Sequence, residues 1–377
     1  MTPISNFNAA GHATPDDDVV QVQCDYLKRE QAIGGYWLAE QHSDDWQTLY
    51  QHLADLINAA PVNIALQDSA TRAMQMALLA IPWQSGDEVI ISDWEYGANL
   101  VPLLQLQQRY QLNIKRLPNR HGQPDFSQLP AFVTAQTKAI LITLVGSHNG
   151  AILNTQSFTH ALRSFSGYVV ADACQALGQI AVDVKAFPCD FLLATGRKFL
   201  RAPRGTGFLY ASNRVLQEGL FPMVTDHSAS RLVPELDFEL RRDAKRFECW
   251  EANWSSRLGF KVALDQLLAK PSAIYAQLAE QSARLRAELA SIAGLTMHDS
   301  GDDLSAIITF NIDSVSAPIL HQSLRARGIE TAVSYVDAGW FDFHQRQLPP
   351  LNRISAHVYN TEHEIAELLA TLHALAG

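Results

Sequence analysis

Seven short apolar runs alternate with helical patterns between residues 61 and 212, and this alternation constrains the fold more than any other feature of the chain. Several runs are continuously apolar, which is typical of strands covered on both faces. The predicted strands cover residues 62–67, 88–92, 113–117, 139–145, 167–171, 191–194 and 207–211, and the predicted helices between them include 70–79, 100–110 and 158–164. The rhythm predicts an α/β fold with a mostly parallel seven-stranded sheet between helices.

After residue 254 the pattern changes to helical spacing and then to a mixture of short strands and helices. Helical spacing covers 255–291, with Pro271 at a helix start or break. The predicted strands cover 306–312, 330–336 and 352–355, and the predicted helices cover 317–327 and 362–376. At 377 residues the chain exceeds the size at which one core usually stops growing. We therefore expect a large domain at 15–265 and a small α+β domain formed by 1–14 and 266–377.

Composition and charge argue against several classes of protein. The formal net charge of −10 argues against a nucleic-acid partner, because binding to phosphates needs an excess of Lys and Arg. No run approaches the ~20 apolar residues of a membrane-spanning helix, and the first 15 residues are too polar for a signal peptide. The cysteines are widely separated, which predicts free thiols packed as small apolar side chains, no metal site and a cytoplasmic location. They are Cys24, Cys174, Cys189 and Cys249.

The segment Val-Val-Ala-Asp-Ala-Cys-Gln at 169–175 places a carboxylate directly after a predicted strand. Open α/β sheets bind ligands at the carboxyl ends of their strands, so Asp172 is a candidate binding residue. A carboxylate there can keep the ring nitrogen of pyridoxal 5'-phosphate (PLP) protonated, and Gln175 could reach the ring hydroxyl. Taken alone, the motif is explained equally well by a solvated Asp at the start of a helix.

A lysine follows the next predicted strand, in the segment Leu-Ala-Thr-Gly-Arg-Lys-Phe-Leu at 193–200. Burial among small and apolar neighbours lowers the pKa of an ammonium group, which suits a lysine that forms a Schiff base. Thr195 and Arg197 carry donors for a phosphate. A lone lysine is usually a solvated surface residue, but Lys198 and Asp172 both follow strands of one predicted sheet. The pair therefore predicts PLP chemistry at the α-carbon of an amino acid.

A site for the phosphate is expected where the first predicted strand gives way to a helix. Helix N-termini bind anions through their free N–H groups, and Ser69, Ala70 and Thr71 lie at this position. Ser and Thr also cap helices without any ligand, which is the commoner case.

These segments together resemble the class V branch of the fold-type I PLP enzymes, which includes cysteine desulfurases, selenocysteine lyases and isopenicillin N epimerases. Two further segments carry the resemblance: Glu-Tyr-Gly-Ala-Asn at 95–99, and 352–361, which is similar to the family signature R-x-S-x-x-x-Y-N-T. The resemblance implies a fold-type I fold with PLP bound in the large domain. It assigns Lys198 to the Schiff base, Asp172 to the ring nitrogen, Gln175 to the ring hydroxyl, Tyr96 to stacking on the ring, Ala70, Thr71 and Thr195 to the phosphate, and Arg353 to the substrate carboxylate.

One departure from the family pattern bears on the reaction. Cysteine desulfurases carry a nucleophilic cysteine on a loop shortly before the signature arginine, and residues 332–353 contain no cysteine. A persulfide-forming desulfurase is therefore not expected. The loop carries an aromatic set that either faces a bulky substrate or packs in the protein: Tyr335, Trp340, Phe341, Phe343 and His344.

A second departure lies at 246–253, where relatives often have a threonine that reaches the phosphate of the neighbouring subunit. No threonine is present there, so the contact that Trp250 and Asn253 would make with PLP at a subunit interface is left open. The resemblance still implies a homodimer with active sites between subunits.

Several short segments look closest to the hercynylcysteine sulfoxide lyases of ergothioneine biosynthesis: 34–36, 95–100, 145–150, 196–198, 203–205 and 251–253. In this resemblance His148 is expected at a strand end, facing the cofactor, and Gly11 and Tyr36 are expected at the substrate. A β-elimination is implied, in which Lys198 removes the α-proton, a sulfur group leaves, and the rest becomes pyruvate and ammonia. Tyr96 or His148 would protonate the leaving group.

Other reactions fit the same residues. Epimerisation needs the same proton abstraction and a second acid on the opposite face, and transamination returns the proton to the cofactor. A cysteine or cystine C–S lyase differs only in its leaving group. A non-catalytic binding protein with this fold is a more remote alternative, because every expected catalytic position is filled.

Overall fold

The seven predicted strands form one sheet in the computed structural model, which describes residues 4–120 and 122–376. The strands of the chain are β1 (Ser5–Asn6), β2 (Ile64–Gln67), β3 (Glu88–Ile91), β4 (Asn113–Arg116), β5 (Asn119–Arg120), β6 (Gln123–Pro124), β7 (Thr137–Thr143), β8 (Tyr168–Asp172), β9 (Phe191–Thr195), β10 (Gly207–Ala211), β11 (Ser230–Val233), β12 (Asp237–Leu240), β13 (Leu295–Met297), β14 (Ile307–Ile312), β15 (Ile329–Glu330), β16 (Ala332–Ser334) and β17 (Leu351–Ser355).

Helices cover both faces of that sheet and the outer face of a smaller one. They are α1 (Ala9–His12), α2 (Asp17–Ile33), α3 (Gly35–Gln41), α4 (Ser43–Leu56), α5 (Ala70–Ala80), α6 (Gly97–Tyr110), α7 (Leu129–Phe132), α8 (Thr155–Ala161), α9 (Asn213–Gln217), α10 (Trp254–Leu268), α11 (Pro271–Ala290), α12 (Ala317–Arg325), α13 (Trp340–Arg346) and α14 (Glu362–Ala376). Pro271 is the first residue of α11, as predicted.

The large sheet has the strand order β2-β10-β9-β8-β7-β3-β4. β10 runs antiparallel to β2 and β9, and the other neighbouring pairs are parallel. Every residue of β8, β9 and β10 is buried, which explains why these runs are continuously apolar. The predicted fold class, a mostly parallel seven-stranded sheet between helices, is confirmed.

The sheet brings three strand ends together. Because β2 and β9 both pair with β10, their carboxyl ends meet at Gly207, which lies opposite Gln67 on one side and Thr195 on the other. A Cβ on Gly207 would stand 2.6 Å from the Ala194 carbonyl oxygen and 3.2 Å from the Ser69 carbonyl carbon. The missing side chain therefore lets the start of α5 approach the end of β9.

The small sheet is antiparallel, in the order β13-β14-β17-β16, and its apolar face packs on α11, α12 and α14. The predicted strand at 330–336 is wrong in extent. β15 pairs with β1, whereas β16 pairs with β17, so the chain changes partners at Thr331. The strand then stops at Ser334, because a 3-10 turn at Val336–Ala338 leads into α13.

Residues at the N-terminal end of the described chain contact both sheets. β1 pairs with β15, the Ser355 amide donates to the Phe7 carbonyl at 2.7 Å, and the Ala13 amide donates to the Arg197 carbonyl at 3.0 Å. The division into domains at 15–265 and 266–377 stays a prediction, and its boundary falls inside α10.

The cysteines divide into two groups. Cys174 and Cys189 are buried free thiols, as predicted, but the same prediction is wrong for Cys24 and Cys249, whose side chains are exposed. In the described part of the chain, no helix is long and apolar enough to span a bilayer. No group of three or more potential metal ligands is found within that same part.

Candidate active site

A cavity lies at the carboxyl edge of β8 and β9, where the sequence predicts the site. It is bordered by the start of α5, the start of α6 and the loop after β7. Its lining residues are Ser69, Ala70, Thr71, Trp94, Tyr96, Ala98, Asn99, Thr143, Val145, Ser147, Asp172, Cys174, Gln175, Thr195, Arg197 and Lys198. The cavity therefore brings together most of the residues that were predicted to bind the cofactor.

Asp172 is the last residue of β8 and is buried at the floor of the cavity. Its Oδ1 accepts the backbone N–H of Cys174 at 2.8 Å, and its Oδ2 accepts the side-chain amide of Asn99 at 2.8 Å. The two donors hold the carboxylate in one orientation.

Lys198 lies on the turn that follows β9, and its side chain borders the cavity. Within residues 4–120 and 122–376, its Nζ makes no hydrogen bond or ion pair. Burial lowers the pKa of Lys198, although the neighbouring Cys174 and Asp172 oppose this effect. A lysine with a lowered pKa and no partner carries a neutral amine more often than a surface lysine does, which favours nucleophilic attack on an aldehyde.

The start of α5 forms the end of the cavity that is suited to bind a phosphate. Ser69 caps the helix by accepting the Arg72 amide at 3.1 Å, which leaves the first-turn amides of Ala70 and Thr71 for a ligand. Thr195 lies beside them, with its Oγ1 donating to the Thr206 carbonyl at 3.2 Å.

The guanidinium of Arg197 contacts the carbonyl oxygen of Gly11, so it ties the N-terminal residues to the cavity wall. Burial lowers the pKa of Arg197, and the nearby charge of Arg204 adds to this effect. The side chain of Asn8 fills the space beside Gly11, where a Cβ would stand 2.8 Å from the Asn8 amide nitrogen. Gly11 is thus close to the predicted substrate site, but it does not line the cavity.

Arg353, in the middle of β17, points its guanidinium toward two neutral oxygens. Its Nη1 donates to the Ser147 carbonyl and its Nη2 to the Asn8 Oδ1, both at 3.3 Å, while its buried Nε has no partner in the part of the chain that the structure describes. Burial lowers the pKa of Arg353 to about 10, with the charge of Arg197 acting in the same direction. A buried guanidinium with long contacts to neutral oxygens is suited to bind a carboxylate.

Gln175 and Tyr96 also lie at the cavity, as predicted. The Nε2 of Gln175 donates to the Ala10 carbonyl at 3.1 Å, and its buried Oε1 has no partner among residues 4–120 and 122–376. Tyr96 directly precedes α6 and keeps 47% of its surface exposed, so its ring is available to a ligand.

The prediction that His148 faces the cofactor is wrong. His148 is completely buried outside the cavity lining, and its Nε2 contacts Asp342 Oδ2 at 3.0 Å. Gly339 packs directly on the imidazole, where a Cβ could not fit. The reason is that β7 ends at Thr143 and residues 144–150 form an irregular loop, which places Ser147 on the cavity and turns the next side chain away.

Three other predicted residues lie away from the cavity of this chain. Tyr36 is 75% exposed, and its ring lies 5.7 Å from that of Trp250, which is also exposed. Asn253 caps α10 by accepting the Ser256 amide at 2.9 Å. Any contact of these side chains with the cofactor or the substrate would have to occur in a neighbouring subunit.

Sequence reasoning missed Asn99, Ser147 and Thr143 as lining residues. Asn99 belongs to the segment 95–99 that carried the family resemblance, so its position there was a usable signal. Thr143 ends β7 beside Asp172, and only the register of the two strands reveals this.

The cavity fits PLP by the chemistry of its donors. It offers a carboxylate for the ring nitrogen, an unpartnered amine for the aldehyde and a helix N-terminus for the phosphate. The buried Gln175 Oε1, which has no partner, is a further polar atom that a bound ring hydroxyl would satisfy.

Comparison with known proteins agrees with this chemistry. Residues 4–368 match the family model described as aminotransferase class-V. A probable cysteine desulfurase from Methanothermobacter thermautotrophicus is 25% identical, over 95% of this chain and 91% of the relative. A cysteine desulfurase from Dickeya dadantii is 26% identical, over 99% of this chain and 92% of the relative.

Solved structures share the fold. A cysteine desulfurase from Thermococcus onnurineus superposes with a TM-score of 0.90 at 18% identity, covering 99% of this chain and 94% of that one. The cystine C–S lyase C-DES, in complex with cysteine persulfide, superposes with a TM-score of 0.89 at 20% identity, covering 100% and 99% of the two chains. The match to the family model over nearly the whole chain shows that this protein belongs to the aminotransferase class-V family of fold-type I, PLP-dependent enzymes.

Proposed function

We propose that this enzyme cleaves the carbon–sulfur bond of a cysteine-derived amino acid by β-elimination, and releases a thiol or sulfenate, pyruvate and ammonia. One observation carries the proposal. The residues expected to act on an amino acid, Lys198 and Arg353, are in place, but the loop at 332–353 holds no cysteine that could accept sulfur.

Substrate binding is assigned to Arg353. A carboxylate at its Nε and Nη atoms would replace long contacts to neutral oxygens by a charge-assisted pair. The α-carboxylate of any amino acid provides this group, so Arg353 orients the substrate without reading its side chain.

Proton transfer is assigned to Lys198, because burial lowers the pKa of its amine and the neutral amine is a base. PLP, when bound, supplies the ring that takes up the negative charge developing at the α-carbon. Asp172 is assigned to hold a proton at the ring nitrogen, and the hydrogen bonds from Asn99 and Cys174 that fix its carboxylate support this role.

The leaving group has to depart without transfer to a cysteine. Among the cysteines, Cys174 lines the cavity, but burial raises its pKa well above the ordinary value, so it is a poor nucleophile. Tyr96 is the remaining candidate acid for the departing sulfur, since its side chain borders the cavity and His148 does not.

A sulfoxide of the hercynylcysteine type is the substrate that we propose at the finer level. A sulfenate leaves readily, which agrees with the absence of a nucleophile from 332–353. The similarity of the short segments to hercynylcysteine sulfoxide lyases supports this choice. Of the aromatic residues on the loop, Phe343 packs in the protein, whereas Tyr335 and Trp340 are exposed and could contact a bulky side chain.

A homodimer with active sites between subunits is part of the proposal. Tyr36, Trp37 and Trp250 expose their rings on one chain, and the β11–β12 hairpin exposes Leu232 and Leu236. Apolar side chains in such number at the surface favour burial against another subunit. Sedimentation equilibrium would test this directly, and a monomer with full activity would contradict it.

Product analysis tests the reaction. The PLP-loaded enzyme is incubated with hercynylcysteine sulfoxide, cysteine, cystine and plain amino acids, with Lys198→Ala as the control. We expect pyruvate and ammonia in equal amounts, with the highest rate on the sulfoxide. If only cystine gave pyruvate, the β-elimination would stand and cystine would be the substrate. Formation of a D-amino acid, pyridoxamine phosphate or an enzyme persulfide would contradict the β-elimination.

A further inference from the structure

A second buried carboxyl group lies behind Asp172. Glu95 follows β3 by four residues and is completely shielded from solvent. Its Oε1 accepts the hydroxyl of Ser92 at 2.9 Å, and its Oε2 accepts the hydroxyl of Thr143 at 3.0 Å. Glu95 does not line the cavity, and neither the family signature nor the predicted chemistry assigns it a role.

Asn99 connects this carboxyl group to Asp172. Its Nδ2 donates to Asp172 Oδ2 at 2.8 Å and to Glu95 Oε2 at 3.3 Å. One amide group thus bridges two carboxyls, and Glu95 lies one turn before Asn99 in the chain. Because both amide hydrogens are used, the orientation of the Asn99 side chain depends on both acceptors.

The pKa of Glu95 departs from the ordinary value of a glutamate. Burial, with the negative charge of Asp172 as the second cause, raises the pKa of Glu95 to about 7, although Ser92, Thr143 and Asn99 oppose the rise. The three contacts of Glu95 are neutral donors, so the charge that faces it is that of Asp172. Two like charges bridged by one amide are costly, which favours a proton on the more deeply buried group.

We propose that Glu95 is a positioning residue that acts through Asn99 to hold the Asp172 carboxylate in the orientation that the ring nitrogen of PLP requires. The inference rests on PLP binding and is independent of which substrate the enzyme cleaves.

The test measures the dissociation constant of PLP from the apoprotein and the circular dichroism that the bound ring acquires. The variants are Glu95→Ala, Glu95→Gln, Asn99→Ala and the double variant Glu95→Ala/Asn99→Ala. Glu95→Ala removes an acceptor from Asn99 and should weaken PLP binding about ten-fold. Glu95→Gln keeps an acceptor oxygen of the same reach, so it should bind PLP within about two-fold of the parent and restore the dichroism.

The matched control is Glu248→Ala. Glu248 is another buried glutamate, which accepts the Tyr50 hydroxyl at 2.9 Å and the Leu66 amide at 2.8 Å, and it does not line the cavity. Its removal should lower the melting temperature of the apoprotein but leave PLP affinity within about two-fold of the parent.

The double variant decides whether Glu95 acts through Asn99. We expect Glu95→Ala to weaken PLP binding no further once Asn99 is alanine. Equal weakening in both backgrounds, or parental affinity in Glu95→Ala, would overturn the proposal. If Glu95→Ala does not fold, Glu95→Asp replaces it. This variant withdraws the carboxyl from Asn99 and should also weaken PLP binding about ten-fold. Parental PLP affinity in Glu95→Asp would contradict the proposal in the same way.

Discussion

Two arginines that pack around the small sheet differ in how the protein pairs them. Arg286 on α11 binds Asp299 Oδ2 through its Nε at 2.7 Å and the Ile307 carbonyl through its Nη2 at 2.6 Å. Arg353 on β17 has, among the described residues, only the two contacts to neutral oxygens at 3.3 Å. A guanidinium that is paired within the chain stabilises the fold, whereas one that is not leaves its charge for a ligand.

The lysines show the same contrast. Lys115 on β4 donates to Glu88 Oε2 at 2.6 Å and to the Phe132 carbonyl at 3.1 Å, so it ties β4 to β3 and to the end of α7. Lys198 has no such partner in the described chain. The unpaired Lys198 therefore borders the cavity, whereas the paired Lys115 belongs to the scaffold.

The largest expected effect is that of Lys198→Ala. Loss of the base should lower kcat by about 10³–10⁴, because proton transfer and imine formation both need the amine. Borohydride should no longer attach PLP to the protein, as peptide mapping would show. Lys115→Ala, the matched variant, should keep kcat within about two-fold of the parent, since its ion pair lies on the far edge of the sheet. Equal losses in the two variants would break the comparison.

The arginines come next. Arg353→Ala should lower kcat/KM by about 10²–10³ while the free energy of unfolding hardly changes, because a charge with weak pairing is removed. Arg286→Ala should do the reverse and lower the free energy of unfolding by about 3–5 kcal/mol, because Asp299 is left buried without its partner. Steady-state kinetics and urea unfolding of both variants separate the two outcomes. A destabilised Arg353→Ala with unchanged KM would contradict the assignment.

The carboxyl groups extend the comparison to pH. Burial alone would raise the pKa of Glu88, but Lys115, Thr134 and Thr137 outweigh it and hold that pKa below its ordinary value, whereas the pKa of Glu95 rises to about 7. A carboxyl group whose pKa is higher in the folded state than in the unfolded state stabilises the fold at pH values below its unfolded-state pKa. This contribution to stability is lost as the pH rises through the folded-state pKa. The free energy of unfolding of Glu95→Gln should therefore rise relative to that of the parent between about pH 4.5 and 7. At pH 8 the difference should be on the order of 3 kcal/mol. Urea unfolding at several pH values measures this difference, and a constant difference would contradict the raised pKa.

The smallest expected effect concerns the pair that sequence reasoning misplaced. Asp342 accepts from His148 and from Arg346, both at 3.0 Å; burial opposes these contacts, but together they lower the pKa of Asp342. Asp342→Asn should cost about 1–3 kcal/mol of stability and leave PLP affinity unchanged, because the pair holds α13 on the sheet from outside the cavity. A large loss of PLP affinity without destabilisation would instead support a role of His148 in PLP binding.

The sequence was sufficient to predict the large sheet and the residues that end its strands. Asp172 and Lys198 follow continuous apolar runs, and a parallel sheet places the ends of such runs at one edge. Arg353 was found through the family signature rather than through any pattern, because nothing local distinguishes it from a solvated arginine on a strand.

The rest depended on register and on irregular backbone. Whether Ser147 or His148 faces the cavity is decided by the turn after β7, which has no repeating period to extrapolate. The chain of hydrogen bonds from Glu95 through Asn99 ends at Asp172, which lies 73 residues after Asn99. Only the packed fold brings these two residues within reach of each other. The roles of Trp250 and Tyr36 stay predictions, since they concern a second subunit.

The residues before α2 also set an order of events during synthesis. Asn8 and Ala10 contact Arg353 and Ser355, each across 345 positions of chain. A ribosome makes these first residues long before β17 exists, so they have to wait for most of the polypeptide before they find their partners. The surroundings of Arg353 are consequently one of the last parts of the molecule that can be completed, and a nascent chain halted before β17 would lack them even if its large sheet had already formed.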